Sequence, residues 1–207
     1  MPAVATSQNE PYDTMCGVYD RMHARWLRHA GGEAQCAFEG AVTALLHPEM
    51  SVLDAACGTG TVARRMMNCV GGALDLTMLD ASAGMLARCR DISATRVRGR
   101  IEDLPFDPGS FDLVTSAWGM ETSEDPEAVM QEFFRVTCRG GHICLVFCAD
   151  RPSGSIIGFG LRQRIILTGR GQFLDPTKTG AMAWDLGATA VRPIHCSGPA
   201  AAMVIQV

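Results

Sequence analysis

The ten residues from Ser51 to Gly60, SVLDAACGTG, constrain this chain more than any other segment. Ser51-Val52-Leu53 reads as a short apolar strand ending at Asp54. Ala55 to Gly60 form a tight turn of small residues, and Thr61 to Met67 carry a helical pattern. Strand, glycine turn and helix in that order leave bare backbone N–H groups at a helix N-terminus beside a crevice. Nucleotides bind in such crevices, beyond the carboxyl ends of parallel strands.

The flanking sequence supplies the sheet that such a turn needs. Strands are expected over 51–55, 73–80, 95–101, 111–118 and 141–149, with helices over 60–70, 83–92 and 125–138 between them. This alternation implies a parallel sheet with helices on both faces. Segments 191–196 and 201–207 read as two closing strands. The short Ser197-Gly198-Pro199 link makes that pair antiparallel, because parallel strands need a crossover of about a dozen residues.

Ahead of the alternation, Tyr12, Met15, Tyr19, Met22 and Trp26 recur at helical spacing. Gly31-Gly32 is expected to close that helix, and Glu33 to Leu46 to form a second. Residues 1–11 read as a disordered lead. Segment 154–171 mixes apolar residues with Arg162, Arg164 and Arg170. Its glycines at 154, 158, 160, 169 and 171 weigh against a stable helix, and it reads either as a substrate cover or as a membrane-surface element. A helix over roughly 176–186 follows, stopped by Gly187.

A chain of 207 residues, 47% hydrophobic and 19% charged, suits one domain with a sizeable core. Its formal net charge of -4 gives no general pull toward nucleic acid. No window approaches the ~20 apolar residues of a membrane span. Nine cysteines without a C-x-x-C pair, most of them in apolar runs, read as reduced and mostly buried thiols of a cytoplasmic protein. The N-terminus has no basic region followed by an apolar one, as a secretory signal would. His23, His29, His47, His142 and His195 are scattered without metal-ligand spacing, so no metal is expected.

Four features fall in order at the carboxyl ends of successive candidate strands. The glycine turn comes first. Asp80, twenty residues beyond Gly60, comes second, where an acidic side chain can accept hydrogen bonds from both ribose hydroxyls of an adenosine. Third is the strand-to-loop passage GRIEDLPF (99–106), and fourth is FDLVTSAW (111–118). Gly58 to Ala63 also satisfies G-x-G-x-x-A, which with Asp80 suits a nicotinamide dinucleotide site. Asp54 stands against that alternative, because the dehydrogenase turn wants small apolar residues there.

VLDAACGTG, LDASAGMLARCR, RGRIEDLPFDPGSFDLVTSAWGME and EAVMQEFFRVTCRGGHICLV together resemble the motifs of the class I S-adenosylmethionine-dependent methyltransferases. The resemblance is to the small-molecule group that includes the ubiquinone/menaquinone biosynthesis methyltransferases, and it covers roughly residues 50–149. It implies a Rossmann-like α/β fold: a doubly wound, seven-stranded, mostly parallel sheet with an antiparallel last strand and an N-terminal helical lid. It implies S-adenosylmethionine as cofactor and a small-molecule methyl acceptor as partner. Ala56, Gly58 and Gly60 would then sit against the methionine and ribose moieties, with Asp54 orienting the amino-acid end. Asp80 would hold the ribose hydroxyls, Met85 would lie near the adenine, and Ile101 with Glu102 would address the adenine edge. Ala117 and Trp118 would wall the cofactor where the methyl group faces the acceptor.

Two positions depart from the family pattern. Ala56 replaces a usual glycine, which is tolerable at negative φ. Arg100 stands where an acidic residue usually meets the adenine amino group, and arginine has donors only. Candidates for a proton-accepting residue are Tyr19, His23, Glu121 and His195. The expected organisation is one domain over 12–207, with a lid over 12–47, a cofactor core over 50–149, and a cover segment with closing strands over 150–207. Two other readings stay open: a methyltransferase-like protein that binds without catalysis, and a peripheral membrane enzyme acting on lipid.

Overall fold

The structure, a computed structural model, describes residues 10–169 and 171–207. The expected lead falls almost wholly on residues 1–9, outside the described residues, as does Arg170. Strands β1 (Ser51–Ala55), β2 (Asp75–Asp80), β3 (Thr95–Arg98), β4 (Phe111–Ala117), β5 (Thr137–Cys148), β6 (Ala190–His195) and β7 (Ala200–Gln206) form one sheet in the order β3-β2-β1-β4-β5-β7-β6. β1 pairs in parallel with β2 and β4, β2 with β3, and β4 with β5. β7 runs antiparallel to both β5 and β6. This is the sheet expected from sequence, with its reversed last strand.

The order turns back on itself between β1 and β4, so the glycine turn after β1 opens at the topological switch point, where such sheets bind ligands. Central strands are buried on both faces and therefore read as near-continuous apolar runs. Val52, Leu53 and Ala55 of β1, and Ile143 to Phe147 of β5, are essentially inaccessible. Alternate residues feed two core layers. Val52, Leu113 and Cys144 join Phe38, Val42 and Met66 on one side. Leu53, Val114 and Leu145 join Met130, Phe133 and Val136 on the other. Helices α3 (Gly32–Leu45) and α4 (Thr61–Cys69) cover the first layer, and α6 (Pro126–Val136) and α8 (Pro176–Asp185) cover the second. α6 starts where it does because Asp125 accepts from the Ala128 N–H at 3.0 Å and Pro126 sits in the first turn. Asp175 and Pro176 start α8 the same way.

At the N-terminus α1 (Glu10–Met15) and α2 (Tyr19–Trp26) stand where a lid was expected, α5 (Ala83–Ala87) is a short helix after β2, and α7 (Ile156–Leu167) lies after β5. Two glycine-based expectations need correction. Gly31-Gly32 does not close a helix; α2 runs through a π-helical turn at Leu27–Gly31 directly into α3. A side chain at Gly31 would meet the rings of Trp26 and Trp118 at 2.5 and 2.6 Å, so the glycine admits close packing in place of a stop. Segment 154–171 does contain a helix, α7, capped by Ser155, which accepts from the Gly158 N–H. Gly158 is needed because a Cβ there would lie 2.7 Å from the His29 carbonyl oxygen.

The thiols are all free. Cys57, Cys89, Cys144 and Cys148 are buried, whereas Cys36 and Cys69 are exposed, so the expected burial holds for only part of the set. Among the described residues no helix is long and apolar enough to cross a membrane.

Candidate active site

The glycine turn is built from three left-handed residues, Ala56, Gly58 and Gly60, at φ +58°, +53° and +80°. Negative φ at Ala56, the condition under which alanine was expected to be tolerable, is therefore not met, and this residue carries backbone strain. The turn is held by the acidic residue of the next strand. One Asp80 carboxylate oxygen accepts from the Gly58 N–H at 2.8 Å, and the other accepts from the Ser82 N–H at 2.8 Å. Burial pushes the Asp80 carboxyl upward and these two N–H groups pull it back. Each carboxylate oxygen keeps a further lone pair for a ligand hydroxyl.

Beneath the turn, Asp54 is 1% exposed. Its Oδ1 accepts from the Thr115 hydroxyl at 3.1 Å, while its Oδ2 is buried without a partner. Burial raises the Asp54 carboxyl to about 7 despite the Thr115 hydrogen bond. A buried acceptor with an unpartnered lone pair invites a cation, because an unsatisfied charged group is costly.

The cleft above the turn is lined by Ala56, Gly58, Asp80, Met85, Ile101, Glu102, Ala117 and Trp118, all expected from sequence. Asp54 and Gly60 do not line it: Asp54 lies under the turn, and Gly60 caps α4. Sequence reasoning missed Tyr12, Ser82, Gly99, Gly119 and Thr122, which also line the cleft. Ser82 had a legible signal, since it caps α5 by accepting from the Met85 N–H. Arg100 lines the cleft as well and donates to Glu102 at 2.9 Å, so the acidic residue expected from sequence at an adenine edge is already engaged. The neighbouring arginines are occupied on the fold itself. Arg96 donates to the Cys89 and Ile92 carbonyls, and Arg98 to the Ala81 carbonyl.

α1 and α2 are latched onto this cleft. Asp13 of α1 accepts from the Ser82 hydroxyl and, at 3.1 Å, from the Gly84 N–H. Asp20 of α2 accepts from the Thr59 hydroxyl at 2.7 Å. Tyr19 lies over Gly58, against Tyr12 with ring centres 6.3 Å apart. With α1 and α2 in this position the cleft holds about 80 Å³, well under the ~300 Å³ at the small end of ligand sites.

A second space adjoins the first. It holds about 400 Å³ between α2, α7 and the loop after β4, and it shares Tyr12, Tyr19, Trp118 and Thr122 with the cleft. Trp118 is fixed at φ +59°, and its Nε1 donates to Gln35 Oε1 at 2.7 Å. Its ring meets His23 and Trp26 edge-on. His23 stacks on Tyr19, and burial lowers its imidazole to about 4, so it stays neutral at physiological pH. Glu121, 4% exposed, sits on the inner wall. Its Oε1 accepts from the Cys148 N–H at 3.2 Å, its Oε2 has no partner, and burial raises the carboxyl to about 7. Tyr19, His23 and Glu121 thus gather at one cavity. His195 does not; it borders neither space and its ring pairs with Ser197.

Comparison with known proteins agrees with this geometry. Residues 53–145 match the family described as methyltransferase domain. A ubiquinone/menaquinone biosynthesis C-methyltransferase UbiE from Rhizobium leguminosarum bv. trifolii is 33% identical over 144 residues, covering 65% of this chain and 53% of that protein. The chain spans about half the length of the curated relatives it matches. Among solved structures, a Haemonchus contortus phosphoethanolamine N-methyltransferase 2 in complex with S-adenosyl-L-methionine superposes with a TM-score of 0.73 at 17% identity, over 93% of this chain and 47% of that one. The [4+2]-cyclase SpnF superposes with a TM-score of 0.71 at 18% identity, over 94% and 77%. These two likenesses concern the fold, which hosts more than one chemistry.

Proposed function

We propose that the chain is a class I S-adenosylmethionine-dependent methyltransferase that transfers a methyl group from S-adenosylmethionine to a small organic acceptor. One observation carries this reading: a small cleft at the switch point, with Asp80 on its wall, and a larger, mostly apolar-walled cavity meet across Tyr19, Trp118 and Thr122. Such a junction brings two ligands end to end.

The residues present fit the cofactor. The unpartnered Oδ2 of Asp54 suits the ammonium of its amino-acid end, met directly or through a water as the turn adjusts, and Asp80 suits its ribose hydroxyls. The bound sulfonium would supply an electrophilic methyl group, so the protein's task is mainly alignment and exclusion of water. Ala117 and Trp118 wall the junction, and Tyr12 and Tyr19 close it from above. In this reading residues 12–47 act as the lid, 50–149 as the cofactor core and 150–207 as the cover and closing strands of one domain.

Calorimetric titration with S-adenosylmethionine, S-adenosylhomocysteine and NAD tests the proposal. Micromolar binding of the first two without NAD is expected. Silence for all three in a folded sample would leave a protein that binds something else without methyl transfer.

A second reading has a specific observation behind it. α7 exposes Ile156 at 93%, Phe159 at 53% and Leu167 at 84%, while Leu161, Arg164 and Ile165 of the same helix line the cavity. An apolar helix face with Arg164 alongside suits an anionic membrane surface that delivers a lipid acceptor. Co-sedimentation with phosphatidylglycerol vesicles, abolished by Phe159→Ser with Leu167→Ser, is the expected result. No association at low salt would remove this reading.

A further inference from the structure

The 400 Å³ cavity carries more information about the acceptor than its size. Its inner wall holds one buried carboxyl, Glu121, with an oxygen that no protein group satisfies. Glu121 sits one residue before Thr122, which lines both spaces, so the carboxyl lies on the acceptor side of the junction. The titratable groups that face it are the Cys148 thiol from β5 and the Tyr19 hydroxyl from α2. Burial drives both well upward, so each stays protonated and neither competes as a base. His23 is a poor base for the opposite reason, because burial lowers its imidazole to about 4.

The mouth has the opposite character. Arg21 and Arg25 of α2 and Arg164 of α7 border the cavity, are exposed, and form no ion pair among the described residues. Between mouth and floor the walls include Met15, Met22, Trp26, Leu161 and Ile165. Cationic rim, apolar walls and a single proton-accepting group at the far end describe an elongated ligand with matching parts.

Resting on the methyl-transfer reading above, we propose that the acceptor is an amphipathic acid, with its anionic group at Arg21, Arg25 and Arg164 and a protic oxygen nucleophile at Glu121. Glu121 takes the nucleophile's proton. A lone pair of the acceptor oxygen forms the new bond to the methyl carbon of S-adenosylmethionine. The carbon–sulfur bond breaks with its electron pair going to sulfur, which leaves a neutral thioether. The oxygen's proton passes to Glu121 Oε2 and then to water once product departs.

The test uses the full chain saturated with S-adenosylhomocysteine and two probes, 3-(4-hydroxyphenyl)propionate and its methyl ether. Calorimetry at pH 7 in buffers of different ionisation enthalpy reads the protons exchanged on binding. A phenol O–H donated to Glu121 favours the carboxylate, so the hydroxy acid is expected to release up to about half a proton, given a carboxyl near 7. The ether has no proton to donate and is expected to release none. In Glu121→Gln the difference between probes disappears. Changing Arg21, Arg25 and Arg164 together to glutamine is expected to weaken both probes roughly fivefold to tenfold, as for two or three solvent-exposed charge contacts.

Equal proton exchange for the two probes in the unaltered protein would overturn the inference whether or not the Glu121 variant folds. Failure of both acids to bind the S-adenosylhomocysteine-loaded protein would overturn it as well, while leaving methyl transfer standing. If S-adenosylhomocysteine itself fails to bind, the methyl-transfer reading falls first and takes this inference with it.

Discussion

Replacing Asp54 by asparagine removes the carboxylate that lies under the glycine turn with one oxygen unpartnered. Its carboxyl sits near 7, so about a tenth of the molecules carry the charge at pH 6 and about nine-tenths at pH 8. If the cofactor's ammonium binds only the charged form, affinity for S-adenosylhomocysteine rises about tenfold over those two pH units, or about 1.4 kcal/mol. Titration calorimetry at pH 6, 7 and 8 measures this directly. 5′-Methylthioadenosine, which keeps the nucleoside but lacks the amino acid, reaches Asp80 without Asp54 and should be flat over the same range. Asp54→Asn should abolish the slope for S-adenosylhomocysteine and leave 5′-methylthioadenosine unchanged. A slope shared by both ligands, or one that persists in Asp54→Asn, would refute the pairing. The ligand-free protein behaves in the opposite sense. A folded-state carboxyl raised from 3.8 to about 7 binds more protons than the unfolded chain between those values. The associated stability is complete below pH ~4 and is lost as pH rises through 7, so thermal unfolding of the empty protein should occur at lower temperature at pH 8 than at pH 6.

Four further outcomes can be read with the same two instruments. Ala56→Gly relieves a left-handed alanine at φ +58°; about 1 kcal/mol of strain, less about half for unfolded-chain entropy, should raise Tm by roughly 1–2 °C. Gly60→Ala does the reverse. At φ +80° its Cβ would lie 2.6 Å from Ile92 Cδ1, and a loss of roughly 2 kcal/mol or more should lower Tm by at least ~4 °C. Asp80→Ala should weaken S-adenosylhomocysteine and 5′-methylthioadenosine alike by roughly 1.5–3 kcal/mol, and unchanged affinity in a folded variant would break the ribose assignment. Arg100→Asp frees Glu102 from its partner and adds an acceptor beside the adenine edge, so both nucleosides should bind more tightly. A looser complex would show that Arg100 makes a useful ligand contact of its own.

What could be read from sequence depended on how local the cause was. β1, its glycine turn and Asp80 were legible because strand, left-handed turn and acidic strand end each leave a residue-level mark, and the cleft forms where they meet. The end of β3 was overextended: Arg100 and Ile101 continue the apolar alternation, yet the chain turns there to bring Asp103 back beside Arg100. β5 begins at Thr137, earlier than expected, because α6 stops at Val136 and the chain goes straight into the sheet. Glycine misled twice for one reason. Gly31 and Gly158 have no Cβ because another element lies within 3 Å of where it would be, and such contacts are invisible in a local window. Asp13 and Asp20 were silent for the same reason, since their partners Ser82 and Thr59 are far along the chain. Glu121 was a bare candidate until burial and an unfilled lone pair distinguished it from His195, which the fold leaves outside both spaces.

The lid latches have a consequence for the order of events. Asp13 and Asp20 pin α1 and α2 to the segments that follow β2 and β1, and α2 also forms a wall of the neighbouring cavity. If α1 and α2 lift to exchange a nucleoside, the chamber beside the cleft comes apart with them. On the methyl-transfer reading, a protein built this way would load nucleoside first and acceptor second, and would surrender the methylated compound before it could recharge. Successive methylations of one molecule would then require it to leave and return.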